Sequence, residues 1–358
     1  MRIITIIGAR PQFVKAAVVS DAIRAVALSG VDVQESILHT GQHYDDNMSE
    51  LFFRQLHIPS PRWHLACGND YDLMRRSVTS IMEAERPDRV IVYGDTLSTL
   101  AGAEAAQSLH IPIAHIEAGL RSFNTAMPEE HNRIITDRLS TWLFCPTKTA
   151  VENLHREGFT EGIFHSGDVM YDAVRIFTPQ EDRQLQVLAQ HQLSSKQFVL
   201  ATMHRADTAD NVEALTRIIT ALKQLEIPVL LPLHPHTAKT IHANKVLQQL
   251  LDEAGNIRII SPVGYIETLS LERHARFVLT DSGGMQKEAY FQRTPCVTMR
   301  DETEWVETVR SGWNHLAGTT TEGILRAMER PFEQHLIHDF GDGHAAQKIA
   351  RIICQSEY

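Results

Sequence analysis

The chain has 358 residues, with 34 Lys and Arg against 44 Asp and Glu and a formal net charge of −10. A hydrophobic fraction of 43% and a charged fraction of 22% exclude disordered, collagen-like and coiled-coil readings, and at roughly 150 residues per domain the length calls for two cores. The acidic balance argues against nucleic acid as a partner, so an anionic ligand has to be held by a local set of donors.

In chain order, residues 3–7 read as a strand, and Pro11 suits the first turn of a helix running to about Leu28. Further strands are expected at 31–39, 89–93, 113–116 and 143–145, each ending in a loop that opens a helix. A polar segment at 180–197 has little core pattern, and the alternation then resumes with strands at 198–203, 229–233, 258–260, 277–280 and 296–299. Runs apolar on both faces and separated by helices indicate parallel sheets covered on both sides, hence an α/β chain of two similar lobes. The last amphipathic stretch, 345–354, either closes the second lobe or crosses back to the first. Two doubly wound lobes imply a cleft at the carboxyl ends of their strands.

The N-terminal apolar run is only about five residues long before Arg10, Lys15 and Asp21, too short for a secretory signal. No stretch approaches the ~18 apolar residues of a membrane span. Cys67, Cys145, Cys296 and Cys354 form no CxxC pair and fit small buried thiols in a reducing compartment. A cytoplasmic protein without a membrane partner is therefore expected.

Polar groups gather just past the predicted strand ends: Arg10 and Lys15 after the first, Gln42 and His43 after the second, then Asp95 and Glu117. Glu129 and Glu130 follow Pro128 at the mouth of a helix. Read singly, Asp95 is as good a helix cap, Glu129 and Glu130 merely favour a helix N-terminus, and Lys15 is surface charge. Neither GxGxxG nor GxxxxGK[ST] occurs in the first loop, which argues against a nicotinamide cofactor or P-loop chemistry. The sharpest local signal is a buried strand leading into Asp281-Ser282-Gly283-Gly284 and then a helix. Small residues let a phosphate approach the backbone there, and the helix N-terminus offers free N–H donors. Glu288, one to two turns further in, suits the hydroxyls of a ribose, although Ser282 would serve equally as a plain cap. His204, beside Arg205, ends another strand and suits an acid or a phosphate donor. His39 and His43 straddle a strand end, and His234 and His236 flank Pro235, so neither pair has metal-ligand spacing and no metal site is expected.

Taken together, GARPQFVK, VYGDTLSTLAGAEAA, HIEAGLRS, MPEEHNRIITDRLS, TMHRADTADN, LTDSGGMQKEA, MRDETEW and GDGHAAQKI resemble, in order and over essentially the whole chain, the non-hydrolysing UDP-N-acetylglucosamine 2-epimerase family. The resemblance implies a GT-B-like fold, two Rossmann-type doubly wound lobes facing a central cleft. A boundary near 172–195, at the polar segment, gives an N-terminal lobe at 1–172 and a second at 173–344; the resemblance makes the second the UDP-binding lobe, packs a C-terminal helix at about 345–358 back on the first, and implies a homodimer. The implied reaction expels UDP from C1 as C2 loses its proton, passes through a glycal, and returns UDP as a proton reaches the opposite face of C2. No cofactor is implied. By the same resemblance Asp95, Glu117 and Glu129 share the C2 proton transfer and His204 assists phosphate departure. Arg10, Lys15, Arg205 and Arg300 serve the UDP or sugar side, Ser282, Gly283 and Gly284 the diphosphate, and Glu288 the ribose.

Two departures from the family pattern are informative. The usual HRRE is His204-Arg205-Ala206-Asp207 here, so the chain lacks an arginine near which some bacterial members bind a second UDP-N-acetylglucosamine as activator. The usual TERPE is TEWVE at 303–307, which with GARPQF resembles the branch acting on UDP-2,3-diacetamido-2,3-dideoxy-glucuronate for O-antigen. Alternatives are a UDP-N-acetylglucosamine 2-epimerase, a hydrolysing 2-epimerase and a GT-B glycosyltransferase.

Overall fold

Strands apolar at successive positions can present no face to water and are stable only inside a covered parallel sheet. The computed structural model describes residues 1–42 and 52–355; His43 lies outside them. The first set of strands is β1 Arg2–Ile7, β2 Gln34–His39, β3 Trp63–His64, β4 Arg89–Tyr93, β5 Ile113–Ile116, β6 Trp142–Cys145 and β7 Ile163–His165. They form an all-parallel sheet in the order β3-β2-β1-β4-β5-β6-β7. The second set is β8 Val199–Thr202, β9 Val229–Pro232, β10 Ile257–Ile260, β11 Phe277–Thr280, β12 Cys296–Thr298 and β13 Asn314–Leu316. These pair, again in parallel, as β10-β9-β8-β11-β12-β13. In the second sheet Val199, Ala201, Leu279 and Val297 join one core, while Phe198, Leu200, Val278 and Cys296 join another on the opposite face. Each sheet with its helices is a Rossmann-type α/β lobe, and two such lobes in one chain make the fold GT-B-like.

The chain divides into two compact units, one of Met1–Ile176 with everything from His338 on, the other Phe177–Ile337. The division therefore falls after Ile176 rather than after 172, and residues 338–344 join the first unit rather than the second. Hydrogen bonds explain both shifts. Asp172 accepts the N–H groups of Ala345 and Ala346 at 3.1 and 2.7 Å, capping the helix Ala345–Gln355. Arg175 donates to the carbonyls of Asp342 and Gly343, and the Asp168 N–H to that of Phe340. The C-terminal helix packs against the helix Arg10–Leu28 of this same unit. The polar stretch after the boundary is no linker: Glu181–Gln190 is a helix, and Gln184, Val187 and Leu188, spaced to share one face, are buried in the second unit.

Strand order also locates the sites. β1 and β4, and likewise β8 and β11, lie side by side although the chain leaves β1 and β8 in the opposite direction across the sheet. Loops at such a reversal diverge at the carboxyl ends of the strands and leave a crevice for ligand.

Candidate active site

In the first unit the loops after β1, β4 and β5 converge. The side chain of Gln12, buried in the first turn of its helix, accepts the N–H groups of Gly8 and Ala9 and donates to the Tyr93 carbonyl, Thr96 and Thr99. It thereby ties the loop of Arg10 to the loop of Asp95. Lys15 is not surface charge: it is 6% exposed and ion-paired with Glu117, itself 9% exposed. Glu117 has φ 77°, a left-handed conformation that a non-glycine residue adopts only when its surroundings enforce it. Gly94 has φ 63°, and a Cβ there would stand 3.1 Å from Glu117 Oε2 and 3.5 Å from Lys15 Nζ. The bend at Gly94 thus lays the backbone over the ion pair and delivers Asp95 beside it.

Asp95 does not cap the following helix, since Thr96 does so by accepting the Thr99 N–H. Its carboxylate is paired with Arg133, and its carbonyl accepts from Asn132 at 2.9 Å. Arg133 also binds Glu130, whose oxygens accept from Ser122 N and Oγ and from Phe123 N. Glu130 is therefore spent on structure. Glu129, half-exposed in the first turn of Pro128–Leu139, takes no part in that network.

Beneath these groups lies a buried histidine that the sequence reading did not single out. His115, fully enclosed on β5, sets Nε2 2.7 Å from the Gly94 carbonyl and Nδ1 2.7 Å from Asp137 Oδ1. Asp137 also accepts from Gly119 N and pairs with Arg121 at 2.8 Å. Burial pushes the Asp137 carboxyl up, but the hydrogen bond and charge of His115, with Arg121, outweigh it and hold the group below the ordinary carboxylate range.

In the second unit His204 follows β8 and Asp281 follows β11. Asp281 is fully buried, accepts the backbone N–H groups of His204 and Arg205 at 2.9 and 3.0 Å, and lies 3.1 Å from His204 Nδ1. Its burial raises the carboxyl, and these donors and the His204 ring more than reverse that. One ring nitrogen of His204 is thus anchored, and the ring, 41% exposed, presents the other outward. Arg205 is half-buried beside it.

Ser282 does cap the helix Gly283–Phe291, accepting from Met285 N at 3.4 Å. Gly283 and Gly284 sit in the first turn, where N–H groups have no intrahelical acceptor and suit an anion. A Cβ on Gly283 would lie 2.2 Å from Glu304 Oε1 and 3.2 Å from Trp305 Nε1, so a side chain there would have to displace the Glu304 carboxylate. Arg300, 8% exposed past β12, holds Glu304 at 3.1 Å. Lys287 is buried with Nζ 3.6 Å from the centre of the Trp305 ring, and Glu288 is 6% exposed on the same helix. Gln42 accepts from Ser98, His39 is the buried last residue of β2 and takes the Gly41 N–H, His234 caps a helix, and His236 pairs with Asp210. Among the described residues no group of three His, Cys, Asp or Glu is arranged to hold a metal, and no helix is long and apolar enough to cross a membrane.

Comparison with known proteins shows the family to which the chain belongs. The sequence model of the UDP-N-acetylglucosamine 2-epimerase family matches residues 27–354. The chain is 46% identical to the UDP-2,3-diacetamido-2,3-dideoxy-D-glucuronate 2-epimerase of Pseudomonas aeruginosa, over 99% of this chain and 100% of that one. It is 45% identical to a UDP-N-acetylglucosamine 2-epimerase homolog of Methanococcus maripaludis, over 99% of both. Among solved structures, the Methanocaldococcus jannaschii UDP-GlcNAc 2-epimerase in complex with UDP-GlcNAc and UDP superimposes with a TM-score of 0.89 at 37% identity, covering 99% of this chain and 100% of that one.

Proposed function

From the premise that the chain belongs to the UDP-N-acetylglucosamine 2-epimerase family, we propose that this isomerase, a UDP-sugar 2-epimerase, inverts C2 of a UDP-2-acetamido sugar by elimination and re-addition of UDP. The C2 proton has no neighbouring carbonyl to acidify it, so the reaction is easier when the C1–O bond to UDP breaks as C2–H is lost. The electron pair of that C–H bond becomes the C1=C2 bond of a glycal, and the C1–O pair leaves with the diphosphate. Return of UDP with protonation from the other face gives the epimer. The single observation that supports this reading best is the buried Lys15–Glu117 pair under Gly94 and Asp95, which holds carboxylates in a fixed, partly dehydrated setting at a strand reversal. Asp95, Glu117 and Glu129 then exchange protons with C2. His204 donates to the departing phosphate, while Arg10, Lys15, Arg205 and Arg300 offset negative charge on the UDP or sugar side. Ser282, Gly283 and Gly284 hold the diphosphate, and Glu288 accepts from the ribose hydroxyls. UDP-2,3-diacetamido-2,3-dideoxy-glucuronate is the proposed substrate, supported by the TEWVE run and by the 46% identity to the Pseudomonas enzyme. UDP-N-acetylglucosamine is the second reading, supported by relatives such as the M. jannaschii 2-epimerase at 37% identity.

Turnover in heavy water tests the reaction, with deuterium entering C2 of the UDP-sugar and no free UDP accumulating at equilibrium. Protium retained at C2 after equilibration defeats the proposal, and stoichiometric UDP release replaces it with hydrolysis. Parallel assays of the two UDP-sugars, read by NMR at C2, decide between the substrates. Asp95→Asn and Glu117→Gln are expected to lower turnover about 10²–10⁴-fold, the range for losing a proton-transfer group, while UDP still binds in calorimetry.

A further inference from the structure

We infer that His115 is a positioning residue for Asp95: a buried imidazole that donates to the Gly94 carbonyl and fixes the bend that presents the Asp95 carboxylate. The inference rests on the reading of Asp95 as a proton-exchange group given above. His115 lies on β5 opposite Val92 of β4 and is fully enclosed. Its Nε2 stands 2.7 Å from the Gly94 carbonyl oxygen, and a carbonyl only accepts, so that nitrogen carries a proton. Nδ1 stands 2.7 Å from Asp137 Oδ1, while Asp137 Oδ2 takes the Gly119 N–H at 3.1 Å and lies 2.8 Å from Arg121. The ring is therefore anchored through one nitrogen and aimed at the backbone with the other.

Gly94 is buried and left-handed, with φ 63°. Its N–H continues the sheet by bonding the Ile116 carbonyl at 2.9 Å, and its own carbonyl is received by the His115 ring. A buried carbonyl deprived of its donor loses hydration without return, so without the ring the bend relaxes toward one that pairs it. Asp95 is the next residue and turns with that peptide. Its other holds come from the helix Pro128–Leu139, where Asn132 donates to its carbonyl at 2.9 Å and Arg133 pairs with its carboxylate. Asp137 belongs to the same helix, and Glu129 to its first turn. The His115–Asp137 bond thus completes a three-point attachment that sets Asp95 in register with Glu129, and the Gly119 N–H ties in the loop two residues past Glu117. Arg121 and Arg133 have further anchors of their own, Glu157 at 2.6 Å and Glu130 at 3.0 Å. Carboxylates that act on one carbon have to be held to within about 0.5 Å. A slack bend is therefore expected to show in the rate rather than in binding.

Two variants that each keep one donor test this in the full-length protein. The readout is C2 exchange in heavy water with whichever of UDP-2,3-diacetamido-2,3-dideoxy-glucuronate and UDP-N-acetylglucosamine the parent epimerises. His115→Gln sets an amide N–H where Nε2 stands, keeps the bond to Gly94 and should keep most of the turnover. His115→Asn sets its amide where Nδ1 stands, bonds Asp137 but not Gly94, and should lower kcat about 10²-fold, as for a misplaced catalytic group. KM and the calorimetric affinity for UDP should change little in either. A role confined to stability would lower the melting temperature of both variants and leave kcat at the parent's value below it. Parent-like kcat in His115→Asn, or equal losses of kcat in the two variants, overturns the inference while the Asp95 reading stands, provided Asp95→Asn loses turnover. If Asp95→Asn keeps turnover, the Asp95 reading falls and the inference with it. Should His115→Asn fail to fold, ring NMR of the parent labelled at histidine decides. A slowly exchanging Nε2 proton close to Gly94 is expected, and a bare Nε2 overturns the inference.

Discussion

Asp281 controls His204 without touching the chemistry assigned to it. Its carboxylate accepts two consecutive backbone N–H groups and faces the ring nitrogen, so a single side chain sets both the loop and the ring. Asp281→Asn offers an amide where a carboxylate received three donors. The ring is then no longer held, and turnover is expected to fall about 10²-fold, as for a misplaced catalytic group, with UDP affinity reduced far less. Steady-state rates beside calorimetry check this, and unchanged turnover removes the positioning role. The neighbouring Ser282 and its glycines were readable from sequence, because small residues between a buried strand and a helix have a direct physical meaning. Asp281 acquired its meaning only when the fold placed the ends of β8 and β11 side by side. Asp137 is the equivalent in the first unit. Its carboxyl lies below the ordinary range in the folded chain, so it contributes stability above its unfolded value of about 3.9 that is lost as pH falls through the folded value. Asp137→Asn removes one member of a buried charge network and should cost about 3–5 kcal/mol near neutrality. It should also flatten the acid side of the stability curve, both measurable by urea unfolding at several pH values.

Helix Gly283–Phe291 shows what an element contributes that no residue does alone. Its free first-turn N–H groups are useful only if the backbone can be approached, and the two glycines differ in how they allow this. At Gly283 an added Cβ meets Glu304, which cannot swing aside freely because Arg300 holds it. At Gly284 the nearest atom is Ser282 Oγ, 3.8 Å away. Gly283→Ala is therefore expected to weaken UDP about ten-fold by displacing the first turn, an effect on the order of one lost charge-assisted bond. Gly284→Ala should leave the turn in place and raise stability by about 0.5–1 kcal/mol through reduced backbone entropy. Equal losses at both positions in calorimetry would contradict this account. Elements of this length and pattern are legible in sequence because burial on both faces leaves a continuous apolar run. The edge strands β3, β7 and β13 are two or three residues long and partly exposed, so they show neither a run nor an alternation. The helix Glu181–Gln190 stayed hidden for a related reason: it is amphipathic around only Gln184, Val187 and Leu188, amid glutamines.

At the scale of the whole molecule, the first unit is assembled from two stretches separated in sequence by the entire second unit. The returning helix Ala345–Gln355 buries Ala346, Ile349, Ala350 and Ile353, and Ile353 accepts a hydrogen bond from Arg89 at the start of β4. It packs on the helix Arg10–Leu28, whose first turns carry Gln12 and Lys15. The position of the Lys15–Glu117 pair therefore depends on residues near the opposite end of the chain, whereas Ser282, Gly283, Gly284 and Glu288 belong to a unit that is contiguous in sequence. A chain ending at Ile337 should thus disturb the assigned groups of the first unit and spare those of the second. Losing a helix whose inner face is fully buried exposes several aliphatic side chains at about 1.5–3 kcal/mol each, more than a marginally stable unit can lose. Turnover should vanish and the melting transition should weaken or split, while UDP is still bound through the second unit. Ile349→Ala, a milder change at a fully enclosed position, should cost about 2–5 kcal/mol and lower the melting temperature while sparing turnover at room temperature. Full turnover by the shortened chain would show that the returning helix does not hold Lys15 in place, and loss of UDP binding along with turnover would show that the second unit's loop is not sufficient for the nucleotide.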